Sequence, residues 1–184
     1  ARLLPWPAAE LATIVLLYFG LAARDMLRHS SRVHAALVAG DLAAARRQVQ
    51  LIVGRDTEDM NEEEIIRATV ESVAENLVDG VTAPLFYATL GGPVAILLYK
   101  AASTMDSTFG YKNERYREFG WAAARLDDSL NLLPARLTGM VMVAAAALLA
   151  LQPAASWRIL RRDRLSHASP NSGHPEAAMA GALG

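Results

Sequence analysis

Uncharged apolar stretches alternate with charged stretches along most of the chain. Residues 11–23 carry no charge and, with the residues before them, approach the roughly 20 residues that a helix needs to cross a bilayer. We therefore predict that this run is the best candidate for a membrane span. Residues 83–99 are also apolar, but the Gly-Gly-Pro sequence at 91–93 predicts two short helical pieces around a turn.

The third apolar run, residues 137–151, is short for a crossing. At about 1.5 Å per residue it reaches only some 22 Å, against a hydrocarbon core of about 30 Å. A proline at position 134 predicts that a new helix begins there. We expect neither this run nor 83–99 to be a simple lipid-exposed span, so each should return to its starting face or lie within protein.

Helix start and stop signals mark two of the polar segments. Gly40 predicts the end of one helix, and Asp41 predicts the N-cap of a short helix that extends to about Val53. Short helices of this kind between apolar runs are typical of a membrane protein with amphipathic surface elements.

A longer helix is predicted over residues 62–79. Asn61 and Glu64 have the spacing of a capping box, and Gly80 provides a C-terminal stop. The helix therefore has a defined beginning and end in the sequence.

The composition supports lipid contact. Hydrophobic residues make up 53% of the 184 residues, whereas about 45–50% is usual for soluble domains. The formal net charge of −1 gives no basic field, so no nucleic-acid partner is expected. The chain has no cysteine, which excludes thiolate chemistry. Because no strand alternation is found, we predict an all-α fold: a single helical integral-membrane domain over residues 1–184, with amphipathic and short or re-entrant helices.

An acidic stripe lies on the predicted helix 62–79. Glu71, Glu75 and Asp79 recur every four residues and extend from Arg67 one turn earlier. Like charges at this spacing repel, so the stripe favours a cation or a basic side chain above it. Mg²⁺ suits such a site, because it binds one or two carboxylates together with substrate phosphate oxygens. The alternative is an acidic helix face in water.

A second charged cluster occupies residues 104–139. Asp127 and Asp128 adjoin an apolar helix, where they could hold a metal-nucleotide or a diphosphate; the alternative is a pair of structural salt bridges, for example to Arg136. The sequence YKNERY at 111–116 places Lys112 and Arg115 among neighbours that cannot all share one helix face, so some of these side chains must point inward.

The third cluster, SPNSGHPE at 169–176, predicts a turn followed by a helix. Glu176 falls in the first turn of that helix, where the helix dipole favours a carboxylate. The histidines show no metal-type spacing, and none is predicted to be a ligand.

Five motifs occur in one order: GRDT at 54–57, ESVAENLVDGVTAPLFY at 71–87, GYKNERYREFG at 110–120, ARLDDSLNLLPARLTG at 124–139 and PNSGHPEAAMAGALG at 170–184. Together they resemble the CobD/CbiB family of cobalamin biosynthesis, the membrane-bound adenosylcobinamide-phosphate synthases. The resemblance covers roughly residues 40–184. It implies that ATP, with Mg²⁺, phosphorylates a propionate of the corrinoid substrate adenosylcobyric acid. The amine of an aminopropanol phosphate then attacks the mixed anhydride.

This chemistry gives the polar motifs expected roles, because the charge on the transferring phosphoryl group must be met by a metal and by fixed cations. The candidate metal ligands are Glu71, Glu75, Asp79, Asp127 and Asp128. The candidate catalytic residues, which would bind phosphates or orient the amine, are Lys112, Arg115, Arg125, Arg136, Asn171 and Glu176. The candidate cofactor-binding residues are Arg55, Asn76, Asn113 and Asn131.

Two other functions remain open from the residues themselves. One is a membrane prenyltransferase that uses Asp127 and Asp128 to bind Mg-diphosphate, and the other is a non-enzymatic membrane sensor or transporter component. In each case we expect a multi-pass protein of the cell (inner) membrane in contact with lipid. Arg24, Arg28 and Arg32 follow the first apolar run and favour a cytoplasmic active site. A homo-oligomer is compatible with the sequence, and relative to the family we expect a fragment that lacks both ends.

Overall fold

The computed structural model describes residues 7–109 and 119–184, and this part of the chain is helical without a strand. The prediction of an all-α fold is confirmed. In chain order the elements are α1 (Ala8–Gly20), α2 (Ala23–Val38), α3 (Leu42–Val49), α4 (Glu62–Leu77), a π-helical segment (Val78–Thr82), α5 (Ala83–Phe109), α6 (Phe119–Leu148), α7 (Pro153–Asp163) and α8 (Gly173–Leu183).

The first apolar run is not the best span, so that prediction is wrong. Helix α1 has 13 residues and is therefore about 20 Å long, well short of the bilayer core. It ends because Leu21 adopts an extended conformation and the backbone N–H of Ala22 donates to the carbonyl of Gly80 at 2.9 Å. This contact turns the chain toward the π-helical segment.

Both predicted helix starts are confirmed. The Asp41 carboxylate accepts the N–H of Ala44 at 2.7 Å at the start of α3, which ends at Val49 rather than at about Val53. At the start of α4, Asn61 accepts the N–H of Glu64 at 3.0 Å, and the Glu64 carboxylate accepts the N–H of Asn61 at 2.8 Å. These reciprocal bonds form the expected capping box.

Gly80 does not end a helix, contrary to the prediction. The chain continues from α4 through the π-helical segment into α5. Gly80 is instead a point of close approach, because a Cβ atom built there would lie 2.8 Å from the Cβ of Ala22. A wide π-helical turn at a functional site is a recurrent arrangement in proteins.

The predicted break in the second apolar run is present. Gly92 has φ 58° and ψ −143°, which lie outside the helical region, and Pro93 follows it. By length and composition the run Glu62–Phe109 could cross a membrane, and 17% of its most apolar window is buried in the protein. The break at Gly92 divides this run into two helical pieces.

Helix α6 is one helix of 30 residues with Pro134 inside it. The prediction that a new helix begins at Pro134 is therefore wrong, and so is the prediction that the third apolar run belongs to a helix too short for a crossing. Pro134 lacks the N–H that would bond to the carbonyl of Leu130, four residues earlier. The hydroxyl of Tyr87, from α5, donates to that carbonyl at 2.8 Å instead. The helix is about 45 Å long and also has the length and composition of a span, with 39% of its most apolar window buried.

Two clusters of buried side chains hold the helices together. Helices α2, α3 and α4 share a cluster of Val33, Ala45, Val49, Ile65 and Ala68. Helices α4, α6, α7 and α8 share a second cluster of Ala74, Met142, Leu160 and Ala178. The second cluster fixes the positions from which α4, α6 and α8 present their polar side chains.

Candidate functional site

A cavity of about 380 Å³ lies where the C-terminal end of α4, the end of α5, the first half of α6 and the turn before α8 meet. Its polar lining includes carboxylates from three separate segments of the sequence. These carboxylates are Glu75, Asp79, Asp106, Asp127 and Asp128. We call this space the acidic cavity. Its lining by described residues contains no lysine or arginine.

One amide joins two of these carboxylates. The Asn131 side chain is 4% exposed, and its Nδ2 donates to Asp79 Oδ1 and to Asp127 Oδ2, each at 2.9 Å. The hydroxyl of Tyr99 lies 3.0 Å from Asn131 Oδ1 and 3.2 Å from Asp79 Oδ1. Asp79 and Asp127 are therefore held in fixed orientations by neutral groups and not by a described basic residue.

The turn before α8 completes the wall of the acidic cavity. The hydroxyl of Ser172 donates to Glu75 Oε1 at 2.9 Å, and Asn171 Nδ2 donates to the backbone carbonyl of Asp128 at 2.8 Å. These two contacts attach the turn to α4 and to α6. Three polar motifs that are far apart in the sequence thus surround one space.

Two buried oxygen atoms of the acidic cavity have no hydrogen-bond partner among the described residues. They are Asp127 Oδ1 and Asn171 Oδ1. A buried polar atom without a partner is costly unless ordered water, an ion or another ligand satisfies it. Carboxylate and amide oxygens are ligands that hard cations prefer. In the described part of the chain no group of three or more His, Cys, Asp or Glu side chains could hold a metal alone.

Glu71 and Glu176, both predicted site residues, line a second, neighbouring space of about 900 Å³ instead of the acidic cavity. Glu71 lines that space and is paired with Arg55 at 3.0 Å and with Arg67 at 3.6 Å. Glu176 lines it too, with Oε1 3.9 Å from Nε2 of His167. Burial raises the pKa of Glu176, and His167 opposes this shift. His167 lines both spaces.

The other predicted residues of the described part contact their own surroundings. The Asn76 amide donates to the backbone carbonyl of Ser72 at 2.8 Å. The Arg125 guanidinium lies over Trp121, 5.9 Å from the ring centroid, and Arg136 Nη1 donates to the Leu132 carbonyl at 2.6 Å. Neither arginine lines the acidic cavity.

The salt-bridge alternative for Asp127 and Asp128 does not hold within the described residues, because neither carboxylate forms an ion pair there. Lys112, Asn113 and Arg115 fall outside the described residues. Their roles stay predictions.

Sequence reasoning missed Tyr99 and Ser172. Tyr99 lies in an apolar run, and only its buried hydroxyl at 1% residue exposure reveals the polar contact. Ser172 stands in a turn where a serine needs no further explanation. The His174 side chain is buried, and burial lowers its pKa, with Arg136 and Arg164 contributing.

Comparison with known proteins identifies similar sequences over nearly the whole chain. The sequence model of the CobD/Cbib protein family matches residues 2–184. A cobalamin biosynthesis protein CobD from Pelobacter propionicus is 58% identical over 89% of the chain and 51% of its own length. Proteins of the same name from Leptospira interrogans (52% identical; 100% of the chain, 58% of the relative) and Geobacter metallireducens (57%; 89% and 52%) are also similar.

The chain spans about half the length of the curated relatives it matches. No solved structure is significantly similar to it.

Proposed function

The chain belongs to the CobD/CbiB family, and we propose that it acts in cobalamin biosynthesis as an adenosylcobinamide-phosphate synthase. The proposed reaction joins adenosylcobyric acid to an aminopropanol phosphate through an amide bond, with ATP and Mg²⁺. The two alternatives left open by the residues, a prenyltransferase and a sensor or transporter component, have no support from family membership.

The observation that carries this proposal is the meeting of three motifs at the acidic cavity. Glu75 and Asp79 come from α4 and the π-helical segment, Asp127 and Asp128 come from α6, and Asn171 comes from the turn before α8. A cavity with five carboxylates repels a free nucleotide, because phosphate groups are themselves anionic. It accepts a phosphate only together with a cation, or it accepts a substrate that is itself cationic.

Two oxygen atoms support the proposal of a divalent cation at the acidic cavity. Asp127 Oδ1 and Asn171 Oδ1 are buried oxygens without a described partner, and both residues line the acidic cavity. We propose that these atoms hold Mg²⁺, with substrate phosphate oxygens and water as the remaining ligands, as is usual for this ion. Bound there, Mg²⁺ would neutralise charge that develops on the transferring phosphoryl group.

The chain's own residues have three further proposed roles. Asp79 and Glu75 line the same cavity as the proposed cation-binding oxygens, and their proposed role is to attract the ammonium group of the amine substrate. The Ser172 hydroxyl fixes one oxygen of Glu75 and so orients the other. Phosphate binding by Lys112, Arg115, Arg125 and Arg136 stays part of the proposal, although the two arginines of the described part do not line the acidic cavity.

Product formation by the full-length protein tests the proposed reaction. The purified protein, supplied with ATP, Mg²⁺, adenosylcobyric acid and aminopropanol phosphate, should give adenosylcobinamide phosphate, measured by mass spectrometry. Asp127→Asn should lower turnover at least about 100-fold, because a cation ligand is lost.

A matched control distinguishes this loss from a general effect of removing charge. Asp59 is exposed and does not line the acidic cavity, so Asp59→Asn should keep nearly full turnover. If the wild-type protein binds both substrates but forms no product, the proposed reaction is wrong. Equal turnover in Asp127→Asn and wild type would overturn the assignment of the site.

The hydrogen bonds that attach the turn before α8 to α4 and α6 lead us to propose that the polar motifs share one face of the membrane, the cytoplasmic one. Asn171 reaches back to the carbonyl of Asp128, so the chain between them must return to its starting point. Three arginines of α7 are exposed, which makes α7 itself an unfavourable crossing. Single cysteines at the exposed positions Ser107 and Ser166 should be labelled only from the cytoplasmic face, and labelling from opposite faces would refute this topology.

A further inference from the structure

The amide of Asn131 has no N–H group left for a ligand. A carboxamide has two N–H donors, and Asn131 uses them for Asp79 Oδ1 and Asp127 Oδ2, each at 2.9 Å. Its oxygen accepts the Tyr99 hydroxyl at 3.0 Å. A nucleotide that accepted a hydrogen bond from Asn131 would have to displace one of the two carboxylates.

Tyr99 and the two carboxylates favour the same orientation of the amide. Ionised carboxylates only accept hydrogen bonds, so they require the NH₂ group, and the single proton of the Tyr99 hydroxyl can be donated to Asn131 Oδ1 at 3.0 Å, with Asp79 Oδ1 at 3.2 Å as a second acceptor. The Tyr99 ring cannot easily move, since the residue is 1% exposed and the ring stacks on Tyr87 with centroids 5.1 Å apart. We call Asn131 and Tyr99 together the amide clamp.

We infer that the amide clamp positions the cation-binding carboxylates and contacts neither nucleotide nor corrinoid. By holding Asp127 Oδ2, Asn131 leaves Oδ1 as the free oxygen of that carboxylate. By bridging to Asp79, it places two donor protons between negative groups that would otherwise repel each other. This inference rests on the proposed function, because it assumes that Asp127 binds a divalent cation.

Two neighbouring tyrosines provide a matched pair of variants. Tyr99 and Tyr87 are stacked, and each hydroxyl makes a hydrogen bond inside the helix bundle. Only the Tyr99 hydroxyl reaches the carboxylates, since Tyr87 donates to the backbone carbonyl of Leu130. Tyr99→Phe and Tyr87→Phe should therefore cause similar losses of thermal stability but different losses of cation affinity.

The experiment is a Mn²⁺ titration of the full-length protein in detergent, followed by electron paramagnetic resonance without ATP. Tyr99→Phe and Asn131→Leu should each weaken Mn²⁺ binding by about 10-fold or more, as is typical when a group that orients a metal ligand is removed. Tyr87→Phe should leave the affinity within about twofold, because removal of that hydroxyl leaves the groups that orient the ligands in place. In turnover assays, the two clamp variants should need more Mg²⁺ for half-maximal rate while the corrinoid KM stays unchanged.

Each result separates the clamp from the site itself. If wild type binds no Mn²⁺, or if Asp127→Asn binds it as well as wild type, the cation site and this inference both fail. If Asp127→Asn abolishes binding but Tyr99→Phe and Tyr87→Phe behave alike, only the positioning role fails. Should Tyr99→Phe not fold, unchanged Mn²⁺ affinity in Asn131→Leu overturns the inference just as directly.

Discussion

A methyl group at Gly181 should separate α7 from α8. A Cβ atom built on Gly181 would lie 2.7 Å from the Ala155 carbonyl oxygen and 2.7 Å from Ser156 Cα. Ordinary contacts of a Cβ begin near 3.4 Å, so the helices must move apart by about 0.7 Å. Both neighbours are backbone atoms and cannot rotate away.

The same movement would weaken a buried hydrogen bond. The Ser156 hydroxyl donates to the Ala178 carbonyl at 2.7 Å, and Ser156 is fully buried. A displacement of about 0.7 Å would stretch this bond close to its limit, which costs about 1 kcal/mol, and overpacking adds about 1–3 kcal/mol. The better helix propensity of alanine returns about 1 kcal/mol. We therefore expect Gly181→Ala to lose about 1–3 kcal/mol of unfolding free energy.

Thermal unfolding of the full-length protein in detergent measures this effect, at roughly 2–4 °C for each kcal/mol in a domain of this size. Gly54→Ala is the matched control, because a Cβ at Gly54 meets no atom within 4 Å. A Gly181→Ala protein as stable as Gly54→Ala would refute the close packing of α7 on α8. Since α8 follows the turn that carries Asn171, this packing also supports the acidic cavity.

Three further predictions concern stability. Burial lowers the pKa of His174, so below about pH 6.5 the unfolded chain binds a proton at His174 that the folded protein binds less readily, and the folded state loses stability. His174→Gln should therefore lose less thermal stability between pH 8 and pH 5.5 than wild type does. An equal loss in both proteins would contradict this. Asp41→Ala should lose about 1 kcal/mol in thermal unfolding, because an N-cap is removed, while Mn²⁺ affinity stays unchanged; loss of binding would contradict the separation of α3 from the site. Gly80→Ala places a Cβ 2.8 Å from Ala22 Cβ and should lower the unfolding free energy by about 1–3 kcal/mol. Adding Ala22→Gly should recover most of this loss, because the nearest remaining atoms of residue 22 then lie 3.7 Å away. No recovery would refute the contact.

Local hydrogen bonds made part of the fold predictable from sequence. Asp41 caps α3 and Asn61 caps α4 through bonds that span three residues each. The break at Gly92 was predictable for the same reason, since glycine followed by proline acts on its own segment of backbone. Family resemblance added the functional class, which these local signals do not determine.

Contacts between distant residues decided the rest. Pro134 lies inside α6, and the carbonyl of Leu130 that proline leaves free accepts a hydrogen bond from Tyr87, 43 residues before Leu130. Asn131 reaches Asp79 across 52 residues and also bonds Asp127, so its amide bridges two carboxylates, and its predicted cofactor contact stays a prediction. Neither contact has a signal in its own stretch of sequence, because the partner residue is brought near only by the packing of α6 on α5 and on the π-helical segment.

The acidic cavity depends on the meeting of α4 with the turn before α8. Ser172 Oγ lies 2.9 Å from Glu75 Oε1, although the residues are 97 positions apart. These 184 residues contain no cysteine, so in a full-length protein from which any other cysteine has been removed, the pair Glu75→Cys and Ser172→Cys can be joined specifically by a short bifunctional thiol reagent. Glu75 is exposed and should react first, after which the tether can capture the second cysteine.

Mass spectrometry of the cross-linked full-length protein is the most direct test of the shared cavity. We predict an intramolecular link between positions 75 and 172, reduced when Mn²⁺ fills the cavity. The pair Glu58→Cys and Ser172→Cys should give little of this link, because Glu58 is exposed and does not line the cavity. Equal linking in both pairs, or links only between separate molecules, would contradict the shared site.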